Sequence, residues 1–194
     1  IYLYYQSFPI IEMNLITQNS STNGAGLAVF YESKPVIRNN LIVKNNHGSG
    51  ITMAASSPEI SFNTIADNYN SGIYLKSAQS QSTQSNPTMY NNIIVSNGIG
   101  AGINLSSGNS PGIAYNAVWG NVGGQYLPEG SDQTGLNGNI SADPQFFDPN
   151  NNHYHLHYNS VCKDAGDPNY MNPLGLTVHI IKLNYNNWFA INIL

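Results

Sequence analysis

The sequence predicts an all-β chain wound as a right-handed parallel β-helix with three parallel sheets. Three observations carry that prediction: a fivefold repeat, a composition that favours turns over helices, and three short alternating segments in each repeat. The repeat runs Pro, an apolar residue two on, Asn at +5, an apolar residue at +7 and Asn at +10, starting at Pro9, Pro35, Pro58, Pro87 and Pro111. Successive copies lie 26, 23, 29 and 24 residues apart. The 194 residues include 30 Asn, 18 Gly and 10 Pro but only 8% charged residues, so turn formers stand where helices would carry Glu, Lys and Ala.

Charge and hydropathy narrow the functional classes. With 6 basic against 10 acidic residues the net charge is −4, which excludes coiled coils, basic nucleic-acid arms and charged disordered tails. A 41% hydrophobic content excludes a disordered chain, and no apolar run reaches the roughly 18 residues of a membrane span. Length points to one domain, expected as a soluble monomer with no nucleic-acid partner. Cys162 is the single cysteine and has no internal disulfide partner.

Each copy justifies its elements in the same order. A short segment follows the proline and ends at the first asparagine of the copy: Asn14, Asn40, Asn63, Asn92 or Asn116. These asparagines are expected at tight corners in left-handed backbone, stacked as an amide ladder. A second segment runs to Asn19, Asn45, Asn68, Asn97 or Asn121. A third opens on glycine in the first four copies: Gly26-Leu27-x-Val29, Gly50-Ile51-x-Met53, Gly72-Ile73-x-Leu75 and Gly102-Ile103-x-Leu105. A leucine-rich repeat would need helix formers before the next proline, and Ser, Gln, Asn and Ala stand there instead. Ile1 precedes Pro9 by the interval that separates Leu27 from Pro35, so the chain is expected to begin inside a strand, with an N-terminal cap and further rungs cut away. Glu12 with Arg38, and Lys44 with Asp67, occupy matching repeat positions and are expected as surface ion pairs.

This P-x-I-x-x-N-x-I-x-x-N…G-I-x-L pattern resembles the right-handed parallel β-helix repeat of the pectin-lyase-like superfamily over about residues 1–121. From Asn137 a different text begins, Asp143-Pro144-Gln145-Phe146-Phe147-Asp148-Pro149, then Tyr154-His155-Leu156 and Asp164-Ala165-Gly166-Asp167-Pro168. It is similar to the closing segment of bacterial extracellular β-helix proteins. The chain thus divides into rungs (1–136), a capping segment (137–170) and an atypical tail (171–194). Phe146, Tyr154 and Leu156 are expected to cover the last rung. The resemblance also implies a secreted or bacterial cell-surface location and a glycan partner.

Candidate chemistry falls on the outward positions of the G-I-x-L strands, where the resemblance places catalysis in lyases. Two columns result: Tyr2, Ala28, Thr52, Tyr74, Asn104, and Tyr4, Phe30, Ala54, Lys76, Ser106. Tyr2, Tyr4, Phe30 and Tyr74 offer rings for stacking on sugars, and Thr52 and Asn104 offer hydrogen bonds, which makes one long flat face a polysaccharide-binding surface walled by Ala78 to Asn86. Lys76 is the one candidate base for elimination from an acidic glycan. A glycosidase would need two carboxylates about 5–10 Å apart, and neither column has one. No cofactor is expected; calcium has no visible site in the columns, and Asp143, Asp148, Asp164 and Asp167 are read as turn formers. His153, His155 and His157 share a strand face and are read as polar surface ahead of a metal site. A binding module is preferred, with a lyase or glycosidase-like fragment and a passive spacer or adhesin stalk as alternatives.

Overall fold

The computed structural model describes residues 1–77 and 84–169. The chain winds as a β-solenoid in which each rung contributes one strand to each of three parallel sheets. The first sheet stacks β1 (Tyr2–Tyr4), β4 (Leu27–Phe30), β7 (Ile51–Ala54), β10 (Ile73–Leu75), β13 (Ile103–Leu105) and β16 (Tyr126–Leu127). The second stacks β2 (Ile10–Glu12), β5 (Val36–Arg38), β8 (Glu59–Ser61), β11 (Thr88–Tyr90) and β14 (Gly112–Ala114). The third stacks β3 (Leu15–Thr17), β6 (Leu41–Val43), β9 (Thr64–Ala66), β12 (Ile93–Val95) and β15 (Ala117–Trp119). Register follows the repeat without slips, as in Ile11 beside Ile37 and Ile37 beside Ile60.

The core is the triangular interior. The central residue of each short strand points inward on the second sheet (Ile37, Ile60, Met89) and on the third (Ile42, Ile65, Ile94), and the first sheet adds two per strand, such as Ile51 and Met53. Burying one such side chain stabilises the fold by about 2 kcal/mol. The glycine of G-I-x-L marks a close approach: a Cβ on Gly72 would lie 2.5 Å from Ile94 Cγ2 and 2.8 Å from Gly102 O.

The corners correct one expectation. Left-handed backbone belongs to the residue before each ladder asparagine, Met13, Asn39, Phe62, Asn91 and Tyr115 at φ 53–56°, and not to the asparagine itself. The reason is hydrogen bonding, since the asparagine side chain turns inward and bridges rungs. Asn63 Nδ2 is shared among Ile37 O (2.8 Å), Ser61 O (3.0 Å) and Asn92 Oδ1 (3.0 Å), while its Oδ1 accepts from the backbone and side-chain nitrogens of Asn40. The first ladder runs on from Asn116 to Asn139, and the second ends where Asn121 Nδ2 donates to Gln125 Oε1 at 2.9 Å. A third ladder lies two residues before each proline: the amides of Ser7, Ser33, Ser56 and Ser85 donate to Ser33, Ser56 and Ser85 Oγ and to Asn109 Oδ1.

The closing segment lies along the side of the solenoid and not across its last rung. The hairpin of β17 (Phe146–Asp148) and β18 (His153–Leu156) lays Tyr154 and Leu156, with Cys162, on Leu41, Val43, Ala66, Ile93, Val95 and Ala117. The third sheet carries apolar residues on its outer face as well as its inner one, and it is this outer stripe that the hairpin covers. Polar groups fix the position: Tyr154 Oη donates to Asp67 Oδ2, Lys44 Nζ donates to Pro149 O and Asn152 Oδ1 at 2.8 Å each, and Asp167 N donates to Asn91 Oδ1 at 2.9 Å. The expected Lys44–Asp67 ion pair is therefore replaced by two contacts to this strap. Glu12 and Arg38 do pair, Arg38 Nε donating to Glu12 Oε2 at 2.8 Å. Residues 78–83 of the expected wall and the tail 171–194 lie outside the described residues.

Candidate functional site

The outer face of the first sheet has the two columns its repeat dictates. Tyr2, Ala28, Thr52, Tyr74, Asn104 and Leu127 are in register, and so are Tyr4, Phe30 and Ala54. At one end the rings gather. Tyr2 and Tyr4 stack at 5.9 Å and 15°, Phe30 packs 5.7 Å from Tyr2, and Tyr31 meets Tyr4 edge-on at 4.9 Å. Tyr2, Tyr4 and Tyr31 are 62%, 53% and 49% exposed, while Phe30 is buried and forms their floor.

The expected single flat face is interrupted. Gly24 sits over the first column, so close that a Cβ there would stand 3.0 Å from Thr52 Cβ and 3.2 Å from Ala28 Cα. Thr52 is thereby only 2% exposed and cannot meet a ligand, which removes it from the candidate site. The loop carrying Gly24 also reaches Lys76, whose Nζ donates to Asn23 Oδ1 at 3.2 Å. Tyr74 and Asn104 remain half-buried beyond the interruption, with Ser106 Oγ donating to Tyr74 Oη at 3.5 Å. In the second column Tyr4 is exposed and Ala54 half-buried, on either side of the buried Phe30.

Beside that column the turn after each first-sheet strand forms a groove of about 350 Å³, lined by Gln6, Phe8, Glu32, Lys34, Ser57 and Gln84 among others. Two successive residues hold positive φ in each of the first two turns, Tyr5–Gln6 and Tyr31–Glu32, and this turns their side chains outward. Gln6 Nε2 donates to Glu32 Oε2 at 2.9 Å, which orients the carboxylate. The ammonium of Lys34 has no partner among the described residues. Sequence reasoning missed Tyr31, Gln6, Glu32 and Lys34 because it followed the strands. The signal was the pair of polar and aromatic residues between strand and proline, Tyr5-Gln6 and Tyr31-Glu32.

The remaining candidates serve structure. Asp143, Asp148 and Asp167 each accept a backbone N–H two or three residues on, from Gln145, Asn151 and Asn169. His153 and His155 stack with Phe147 on the outer face of the hairpin. Burial, and then the charge of His153, hold the His155 imidazole below its ordinary pKa. Among the described residues no three His, Cys, Asp or Glu side chains stand close enough to hold a metal ion, and no helix is long and apolar enough to cross a membrane.

The ladders and the three parallel sheets agree with the match of residues 1–141 to a family described as the right-handed β-helix region. The chain belongs to the right-handed β-helix family. The pectin-lyase-like superfamily is consistent with that membership. Nothing among curated proteins or solved structures matches the chain. A right-handed β-helix of this kind supports a carbohydrate-related or structural role, and its matched region contains all five complete repeats, the aromatic cluster and the corner groove.

Proposed function

We propose that this β-helix binds a neutral polysaccharide outside the cell, along the aromatic end of the first sheet. The observation that carries the reading is the cluster of Tyr2, Tyr4 and Tyr31, three exposed rings held in fixed geometry over the buried Phe30. Rings fixed by their neighbours lose little rotamer freedom when a sugar stacks on them, so the contact costs less entropy than one made by a free side chain. Neutrality is supported by where the cations are. Arg38 is paired with Glu12, Lys44 is bound by the strap and Lys76 by Asn23, and Lys34, in the groove beside the rings, is matched there by the Glu32 carboxylate, so a polyanion would find no net positive charge at this end of a chain of net charge −4. Stacking and hydrogen bonding of this kind use no cofactor. A lyase reading centred on Lys76 is weakened by the same Asn23 contact and by the absence of any carboxylate from both columns.

Affinity electrophoresis tests the reading. The protein should be retarded in gels containing xyloglucan, galactomannan or mixed-linkage glucan and not in gels containing pectate or alginate. Tyr4→Ala combined with Tyr31→Ala should weaken retention by about tenfold or more, the loss of roughly 1.4 kcal/mol or more of stacking. Unchanged retention in that double variant, or retention by no polymer at all, would overturn it.

A further inference from the structure

We infer that the β-helix is built for a branched glycan, with the main chain on the exposed rings of Tyr4 and Tyr31 and a side-branch sugar in the corner groove. The inference rests on the proposed glycan reading. Two tracks run side by side along the solenoid. One is the column of Tyr4, Phe30 and Ala54; the other is the groove, whose walls come from four successive rungs through Gln6, Glu32, Ser57 and Gln84. Rungs repeat about every 4.8 Å, so the groove spans some three rung spacings. Its volume of about 350 Å³ lies near the lower bound of small-ligand sites, about 300 Å³, and suits a single sugar's width rather than a second main chain. Tyr31 stands where the tracks meet, edge-on to Tyr4 on one side and next in sequence to Glu32 on the other.

The groove's chemistry fits hydroxyls. A sugar hydroxyl is both donor and acceptor, and the groove presents an oriented carboxylate acceptor, Glu32, beside an ammonium donor, Lys34. Phe8, 63% exposed, supplies an apolar surface at the same place. The Glu32 carboxylate and the Lys34 ammonium together leave the groove with no net positive charge to hold a uronate, so the branch is neutral. The outward aim of Gln6 and Glu32 is built in, because each sits in a pair of non-glycine residues with positive φ, a strained conformation that survives only where the surrounding structure holds it.

Calorimetry on matched oligosaccharides tests this: a xyloglucan heptasaccharide against cellotetraose, and galactosylated mannopentaose against plain mannopentaose. In at least one pair the branched member should bind about tenfold more tightly, the difference two or three added hydrogen bonds supply. Glu32→Ala and Lys34→Ala, both at exposed positions, should bring the branched member down to the plain one and leave the plain one unchanged. Tyr4→Ala should weaken both members alike. Equal affinity within both pairs, or groove variants that weaken both members equally, would overturn the branch assignment while leaving the glycan reading intact. Binding of neither member of either pair, together with no retention by the polymers, would overturn both.

Discussion

A ladder asparagine such as Asn63 satisfies two backbone carbonyls and three groups of the neighbouring asparagines with one side chain, all of it out of water. Asn63→Ala leaves several buried partners unmatched and should lower stability by about 3 kcal/mol or more. Asn14→Ala, at the exposed end of the same ladder, should cost less than about 1 kcal/mol. Urea unfolding midpoints compare the two, and equal losses would place the stabilisation outside the ladder. Ser96 sits at φ 54° one residue before Asn97, where the next rung has Gly120 at φ 64°. Ser96→Gly should therefore raise stability by up to about 1 kcal/mol, as read from the same midpoints. The asparagines were legible in the sequence because each one's inward side chain constrains its identity. The left-handed positions were not legible, because their side chains point away from the backbone constraint: Met, Asn, Phe and Tyr all occupy them. Thr52 was misplaced for a different reason: a column in one sheet says nothing about the loop, here at Gly24, that lies over it.

Among the elements, the strap is the one that the repeat could not announce. Its residues resembled a cap, and Phe146, Tyr154 and Leu156 are indeed its apolar face, but where that face would land depended on a hydrophobic stripe spread over rungs far apart in sequence. Its own chemistry provides two readouts. Burial pushes the Cys162 thiol up to about 11, so in the folded protein it should react with a disulfide reagent far more slowly than in urea. Fast reaction in native buffer would mean that the strap does not stay down. The second readout is alkaline. Burial, and then the hydrogen bond and charge of Asp67, raise the pKa of the Tyr154 phenol above its ordinary value, and burial followed by the charge of Asp132 does the same for Tyr126. The unfolded chain loses these protons first, so the contribution is complete below about pH 10 and declines as pH rises beyond it. Urea midpoints should begin to fall near pH 9, where the unfolded Cys162 thiol ionises first, and fall more steeply beyond about pH 10, and Tyr154→Phe should make that second part of the fall shallower. An equally steep fall in Tyr154→Phe would remove Tyr154 from the linkage.

At the scale of the whole molecule, rungs that touch only their neighbours would unfold one after another from an end. The strap changes that arrangement, since it leaves the last rungs and is tied by Lys44 and Asp67 to the second and third and by Asn91 to the fourth. Hydrogen exchange should find Leu41–Val43, Thr64–Ala66 and Ile93–Val95 protected to a similar extent and opening together, with Tyr2–Tyr4 exchanging faster. A smooth gradient of protection from one end to the other would show that the rungs act independently. A bare solenoid under tension is a spring that yields coil by coil. Here the segment from Phe146 to Asp167 runs alongside several coils like a stay, so a pull along the axis loads the Tyr154–Asp67 and Lys44 contacts together with the coils they span. The first yield under force should be a single event, and the protein would bear load as a strut.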